Sequence, residues 1–209
     1  MGERTLYFLF TDTGTNLSRL INFFTRESLN HVSIAFDKEL SRVYSFGRKR
    51  PRNPFIGGFV NEEIRGEFLR NSSCAVYTLT VNDEQYESII NNIKKVEAKK
   101  DDYRYNFIGL LGILFHIEIE RKNAYFCSQF IATIMEDTKL FQLSKPYCFV
   151  TPTDIRNQRG MQLIYEGILG DYESSELSNV KESTVEVQSL ERQSFIFSIS
   201  KKVKRFVIR

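Results

Sequence analysis

The chain has 209 residues, of which 42% are hydrophobic and 26% are charged, a composition typical of a folded globular protein with a substantial core. Its formal net charge of +3 is too small to favour nucleic acid as a partner. The longest apolar run, FIGLLGILF, is too short to cross a bilayer. The three cysteines are odd in number and widely spaced, which fits a reducing interior, so we expect a cytoplasmic protein.

The first part of the chain predicts strands around one helix. TLYFLF predicts a buried first strand, and the helix after the DTGT loop carries apolar residues at Leu17, Leu20, Ile21 and Phe24. HVSIAFD alternates, which places Val32 and Ile34 on one face and starts the more polar face with His31. RVYSFG predicts the hairpin partner of this strand. RKRPRNPFIGG predicts a basic loop, because it is interrupted by proline and glycine.

The second part predicts one more strand, several helices and a closing strand. CAVYTLTV alternates as a strand, and residues 83 to about 99 carry the apolar stripe of an amphipathic helix. RYNFIGLLGILF predicts a more buried helix, and the segment containing Cys127 predicts a third. VTPTDI predicts a short helix with Thr151 as N-cap and Asp154 in a capping box, and QLIYEGIL predicts a closing strand.

The composition changes near residue 171. Acidic residues dominate 171–191, whereas 192–209 contain Lys and Arg but no acid. We therefore predict one domain over 1–170 and an acidic-then-basic C-terminal appendage over 171–209. Within it, residues 195–209 form an amphipathic helical stripe suited to peripheral contact with the inner face of an anionic membrane. The same tail also reads as a strand in SFIFSIS, and its basic half can equally pair with its acidic half.

Cys127 and His31 are the candidates for catalysis. A thiol has an ordinary pKa near ~8.5, so a nucleophilic cysteine needs a helix N-terminus or a nearby imidazole. Cys127 comes where a helix begins, and His31 begins a polar strand face, whereas His116 lies in an apolar segment and suits packing. A buried structural thiol is the alternative for Cys127.

The other two cysteines do not share the setting of Cys127. Cys74 lies in a strand pattern and Cys148 in a loop, so both are predicted to be structural. The three cysteines are widely spaced and form no CxxC pair, which favours neither a disulfide framework nor a thiolate metal site. No resolving cysteine lies near Cys127 in the sequence, so a redox role ranks behind a nucleophilic one.

A third group usually orients a catalytic imidazole. The hairpin strand after His31 is the expected source, and two registers are open. If paired residue numbers sum to 78, Ser45 lies opposite Ser33 and diagonal to His31; if they sum to 79, the face instead carries Tyr44, Phe46 and Arg48. One residue of slip exchanges the two faces, so the sequence leaves both registers open.

NHVSIAF, VYSFG, YFCSQFIATIM and VTPTDI, in this order, resemble the circularly permuted branch of the NlpC-type, papain-like cysteine peptidase superfamily that contains YiiX-like bacterial proteins. The resemblance runs roughly from Thr5 to Leu169. It implies an α+β, permuted papain-like fold in which an antiparallel sheet packs against a helix bundle that carries the cysteine helix. It also implies Cys127 as nucleophile and His31 as base. Ser45 stands where these proteins commonly have an acid.

The resemblance implies a cysteine hydrolase (peptidase or amidase) or an acyltransferase that acts on a peptide, amide or acyl-ester substrate through an acyl-enzyme. Such chemistry requires no metal or organic cofactor. Arg48, Arg50 and Arg52 are candidates for binding a phosphate or carboxylate of the substrate, although a solvated basic loop is the simpler explanation. The rival hypothesis is a catalytically silent binding module for an anionic peptide or a membrane surface, favoured by the missing acid at Ser45.

Overall fold

The computed structural model describes residues 2–12, 14, 28–50, 53–106, 109, 117–119 and 121–172. The chain divides into two units, Met1–Gly170 and Asp171–Arg209, and the strands and helices named below belong to the first. The predicted helix containing Leu17, most of the helix predicted for RYNFIGLLGILF, and the basic tail 195–209 lie outside the described residues. The predictions for these segments, including membrane contact of the tail, stay predictions. The helix predicted for RYNFIGLLGILF is wrong at its first two residues, Arg104–Tyr105, which form a short strand.

The described part of the chain is an α+β structure built on one antiparallel sheet of six strands, which confirms the predicted fold class at this level. The order of the strands across the sheet is β4-β3-β2-β1-β5-β8. Their bounds are β1 Glu3–Thr11, β2 His31–Ala35, β3 Val43–Arg50, β4 Asn53–Glu62, β5 Ser73–Asn82 and β8 Gln162–Ile168. Two short parallel strands, β6 Arg104–Tyr105 and β7 Ala124–Tyr125, form a separate ribbon.

The predicted basic loop at residues 48–58 is wrong for most of its length. Strand β3 continues to Arg50, and β4 begins at Asn53 and pairs with it in antiparallel register. Strand β4 tolerates Pro54 because it lies at the edge of the sheet. Gly57 serves close packing, because a Cβ there lies 2.7 Å from Tyr105 Cβ, so strand β6 can approach β4 only over a glycine.

The described residues also form the α-helices α1 Glu67–Arg70, α2 Asp83–Glu97, α3 Cys127–Met135 and α4 Pro152–Arg156. Helix α2 begins as predicted, with Asn82 and Gln85 forming a capping box. Helix α4 also has the predicted capping box, since Thr151 Oγ1 accepts from Asp154 N and Asp154 Oδ2 accepts from Thr151 N. Each box satisfies main-chain N–H groups that have no partner inside the helix.

The core lies between one face of the sheet and helices α2 and α3. From the sheet it takes large apolar side chains of alternate positions, among them Leu6, Phe8, Phe10, Val32, Ile34 and Phe46. Helix α3 is buried on nearly every side, which explains its apolar sequence, and contributes Phe130, Ile131 and Ile134. Fixed in this way against β2 and β3, α3 has a defined position for its first residue, Cys127.

No helix in the described ranges is long and apolar enough to cross a membrane.

Candidate active site

The site begins where the sheet opens between β2 and β3. These strands pair only at Ile34–Tyr44 and Ala35–Val43, whereas the neighbouring β3–β4 ladder continues far beyond. Past the last pair, the main chain of Val32 binds side chains in place of a strand. Its carbonyl accepts a hydrogen bond from Ser45 Oγ at 2.9 Å, and its N–H donates to the sulfur of Cys127. The opening thus creates room for a thiol at the edge of β2.

Cys127 occupies the first position of helix α3. Its N-cap residue, Phe126, is extended and has no side-chain capping hydrogen bond, and the first turn contains no acid. The N–H of Ser128 donates to the sulfur of Cys127, so the thiolate takes the place of a capping side chain. A negative charge at a helix N-terminus is also favoured by the helix dipole. The sequence context that made Cys127 a candidate nucleophile is therefore present in the structure.

His31 lies between Cys127 and an acid. Its side chain hydrogen-bonds Cys127, and its Nε2 lies 2.5 Å from Oε1 of Glu62, the last residue of β4. With Nε2 occupied by Glu62, Nδ1 is the ring nitrogen left for the thiol. Both partners are largely shielded from water, since the side chains of His31 and Glu62 are 12% and 9% exposed. A shielded charge pair interacts more strongly than one on the surface.

Glu62 reaches His31 across the intervening strand β3 because β3 carries small residues there. Ser45 pairs with Val60 and Gly47 with Gly58, so the face between the two partners is formed by a hydroxymethyl group and a hydrogen. A Cβ at Gly47 stands 3.5 Å from Glu62 Oε1 and 3.7 Å from His31 Cε1. A large side chain at this position has no space beside the ion pair.

The charges at the site favour a thiolate–imidazolium pair. Burial alone lowers the pKa of His31, but the negative charges of Glu62 and then of Cys127 outweigh it and hold this pKa well above its ordinary value. Burial alone raises the pKa of Cys127, but the His31 imidazolium and the N–H groups of Val32 and Ser128 outweigh it and lower this pKa. The thiolate form of Cys127 is thus favoured more than that of an ordinary thiol.

The register of β2 and β3 sums to 78, one of the two registers left open by the sequence. Ser45 accordingly lies on the face of His31, with its Oγ 3.5 Å from Nε2, at the outer limit of a hydrogen bond. Its 2.9 Å bond to the Val32 carbonyl is the shorter one. The catalytic role of Ser45 stays a prediction, and the position nearest to Nε2 belongs to Glu62.

Glu62 was missed by the sequence reasoning because the segment before it reads as a loop. The signal was available in GGFVNEE, where strand alternation puts Glu62 on the same face as Val60. Placing it at His31 requires two successive registers, β2–β3 and β3–β4. Neither register is fixed by local sequence.

The sequence also predicts a role in substrate binding for Arg48, Arg50 and Arg52. Arg48 and Arg50 lie in the last residues of β3, and Arg52 lies outside the described residues, so their role in substrate binding stays a prediction. Cys74 and Cys148 are buried, and neither forms a disulfide within the described residues. Burial raises the pKa of Cys74 to about 12, which makes it a poor nucleophile. In the described ranges, no group of three or more His, Cys, Asp or Glu is placed to hold a metal ion.

Comparisons with protein-family models, with curated proteins and with solved structures each return no significant match to this chain. The likeness to the permuted papain-like proteins therefore rests on the motifs quoted above.

Proposed function

We propose that the protein is a cysteine hydrolase or acyltransferase in which Cys127 is the nucleophile, His31 the general base and acid, and Glu62 the group that orients and charges His31. The observation that carries the proposal is the chain of contacts from the helix N-terminal thiol to His31 and from His31 Nε2 to Glu62 at 2.5 Å. A nucleophile, its base and a group orienting the base are the common arrangement for covalent catalysis.

The reaction starts from the thiolate–imidazolium pair. The Cys127 sulfur attacks a carbonyl carbon of an amide or ester, and the negative charge moves to the carbonyl oxygen. The main-chain N–H of Cys127, at the start of α3, is the natural donor to this oxyanion. His31 then gives its proton to the leaving amine or alcohol, which leaves an acyl group on the sulfur.

The second half of the reaction reverses these roles. Neutral His31 takes a proton from water or from an acceptor amine or alcohol, and the resulting nucleophile attacks the acyl-enzyme. The thiolate leaves, and His31 is again protonated beside Glu62. Hydrolysis and acyl transfer differ only in this second nucleophile, so the same site serves either reaction.

The order of these parts along the chain supports a permuted papain-like fold. The strand that carries His31 precedes the helix that carries Cys127, and helix α4 with its Pro152 start follows. Glu62 lies between them in sequence, on the second strand after His31. In the proposed family pattern, the histidine therefore still has an acid beside it. The acid lies on the second strand after His31 and not on the first, where it was expected.

Glu62 also bears on the rival hypothesis of a silent binding module. The main argument for that hypothesis was that Ser45 adds no negative charge to stabilise an imidazolium. A carboxylate 2.5 Å from His31 Nε2 supplies that charge. Charge and position at the site therefore support an enzyme.

The proposal is tested by trapping the acyl-enzyme. The protein is mixed with a panel of activated acyl esters and peptide amides, and its intact mass is followed with peptide mapping of the modified residue. We expect one acyl group on Cys127, released faster when an amine or alcohol is added if the enzyme is a transferase. His31→Ala is expected to acylate slowly, whereas Cys74→Ala behaves like the wild type. Acylation spread equally over the three cysteines, or unchanged in His31→Ala, overturns the proposal.

A further inference from the structure

Glu62 holds His31 through only one of its two carboxylate oxygens. Oε1 lies at His31 Nε2, and Oε2 lies 3.2 Å from the hydroxyl of Ser33 on β2. Ser33 is fully buried. A carboxylate with a separate partner on each oxygen is fixed in rotation, whereas one held at a single oxygen can turn away from its partner.

The single proton of the Ser33 hydroxyl has two acceptors within reach. The main-chain oxygen of Leu9 lies at 3.4 Å and the Glu62 carboxylate at 3.2 Å. The carboxylate is both the nearer and the charged acceptor, and hydrogen bonds to charged groups are the stronger ones. The neighbouring Ser45 hydroxyl cannot do the same, because it donates to the Val32 carbonyl at 2.9 Å.

From this geometry we infer that Ser33 is a positioning residue of the proposed active site: it fixes the Glu62 carboxylate against His31 and thereby maintains the charge pair with Cys127. The inference rests on the proposed function. Ser33 touches neither the substrate nor the thiol in this role and acts only through Glu62. Its effect must therefore appear in the ionisation of Cys127 as well as in stability.

The test measures the rate of Cys127 alkylation by iodoacetamide from pH 4 to 10, read by peptide mass spectrometry, in wild type, Ser33→Ala and Ser33→Thr. We expect the midpoint of the profile to rise by about half to one pH unit in Ser33→Ala, which corresponds to the loss of one hydrogen bond. Ser33→Thr keeps the hydroxyl and is expected to retain the wild-type midpoint. Thr133→Ala is the control, since it loses a half-buried hydroxyl that bonds only the α3 main chain at Gln129 O.

Stability alone cannot produce this pattern, because Thr133→Ala also loses a hydroxyl but is expected to leave the midpoint in place. An unchanged midpoint in folded Ser33→Ala overturns the inference while leaving the proposed function intact. If the wild-type thiol itself titrates ordinarily, the proposed function fails and the inference fails with it. Should Ser33→Ala not fold, Ser33→Cys takes its place, since a thiol is a weak donor of similar size.

Discussion

At the scale of the residue, Val32 links the fold to the chemistry. Its main chain lies where the β2–β3 ladder has ended, so its carbonyl binds Ser45 Oγ and its N–H binds the Cys127 sulfur. A buried main-chain group without a partner is costly. The thiolate therefore stabilises the Val32 N–H that has no strand partner, and this N–H stabilises the thiolate in return. A neutral thiol is a weaker acceptor for the same N–H.

Glu62 is expected to control the charge on both His31 and Cys127. Glu62→Gln keeps the size of the side chain but removes its charge, so the pKa of His31 falls and that of Cys127 rises. Opposite charges at this distance shift a pKa by about 1–3 units. We therefore expect the alkylation profile of Cys127 to move to higher pH by about 1–3 pH units.

The matched control for this change is Glu63→Gln. Glu63 is the next residue in the chain and is exposed, so its replacement removes the same charge away from His31. We expect Glu63→Gln to keep the wild-type alkylation profile of Cys127. Profiles of Glu62→Gln and Glu63→Gln that coincide contradict the role assigned to Glu62.

At the scale of the element, the structure separates what local sequence determines from what it does not. Strand β2 and helices α2 and α4 follow from alternation, apolar periodicity and capping residues, all of them local signals. Strand β4 does not, because its Pro54 and its glycines are typical of loops. Its strand structure depends on pairing with β3 and on close approach by β6, which are contacts between distant parts of the chain.

The same division holds for the site. Cys127 and His31 are recognisable because a thiol at a helix start and a histidine on a polar strand face are local patterns. The position of Ser45 on the face of His31 follows once the register of β2 and β3 is known. The observed register is one of the two that alternation allows. The position of Glu62 beside His31 depends also on the register of β3 and β4, which only the folded sheet provides.

Gly57 is expected to couple the edge of the sheet to the cysteine helix. A Cβ at this position lies 2.7 Å from Tyr105 Cβ and 2.8 Å from Gly47 O, so Gly57→Ala must displace β6. Strand β6 pairs with β7, which leads directly into Cys127. We expect the free energy of unfolding to fall by about 1–3 kcal/mol and the alkylation of Cys127 to slow.

Urea unfolding and the alkylation rate at neutral pH measure these two effects. Gly66→Ala is the comparison, since a Cβ there has its nearest contact at 3.3 Å, to Glu63 O. It is expected to cost less stability and to leave alkylation unchanged. Equal losses in the two variants argue against close packing of β6 as the reason for Gly57.

At the scale of the whole molecule, the three cysteines report on different processes. Cys74 and Cys148 are 1% and 2% exposed, and burial raises the pKa of Cys74 to about 12. Cys127 is also shielded, at 5% exposed, but the His31 imidazolium outweighs burial and lowers its pKa in the folded protein. We therefore expect Cys127 to react in the native state and Cys74 to react only when the fold opens.

Labelling in increasing urea is expected to separate the two processes. The rate at Cys74 rises steeply with urea, because reaction follows the population of opened molecules and so the free energy of unfolding. The rate at Cys127 changes little until the protein unfolds, and then falls towards that of an ordinary thiol. Labelling of Cys74 that is fast and independent of urea contradicts this assignment.

The most direct measurement of the central claim is the pH dependence of Cys127 alkylation by a small neutral reagent in wild type and His31→Ala, with Cys74 and Cys148 followed as internal references. The pKa of Cys127 is lowered chiefly by the His31 imidazolium acting against burial, so the thiolate persists as the pH falls below the ordinary thiol range. We predict a wild-type profile whose midpoint lies below the ordinary thiol range. In His31→Ala we predict a rate that rises only near or above ~8.5. A wild-type profile that rises only in that alkaline range, or one that is unchanged in His31→Ala, contradicts an activated Cys127 and with it the proposed enzyme.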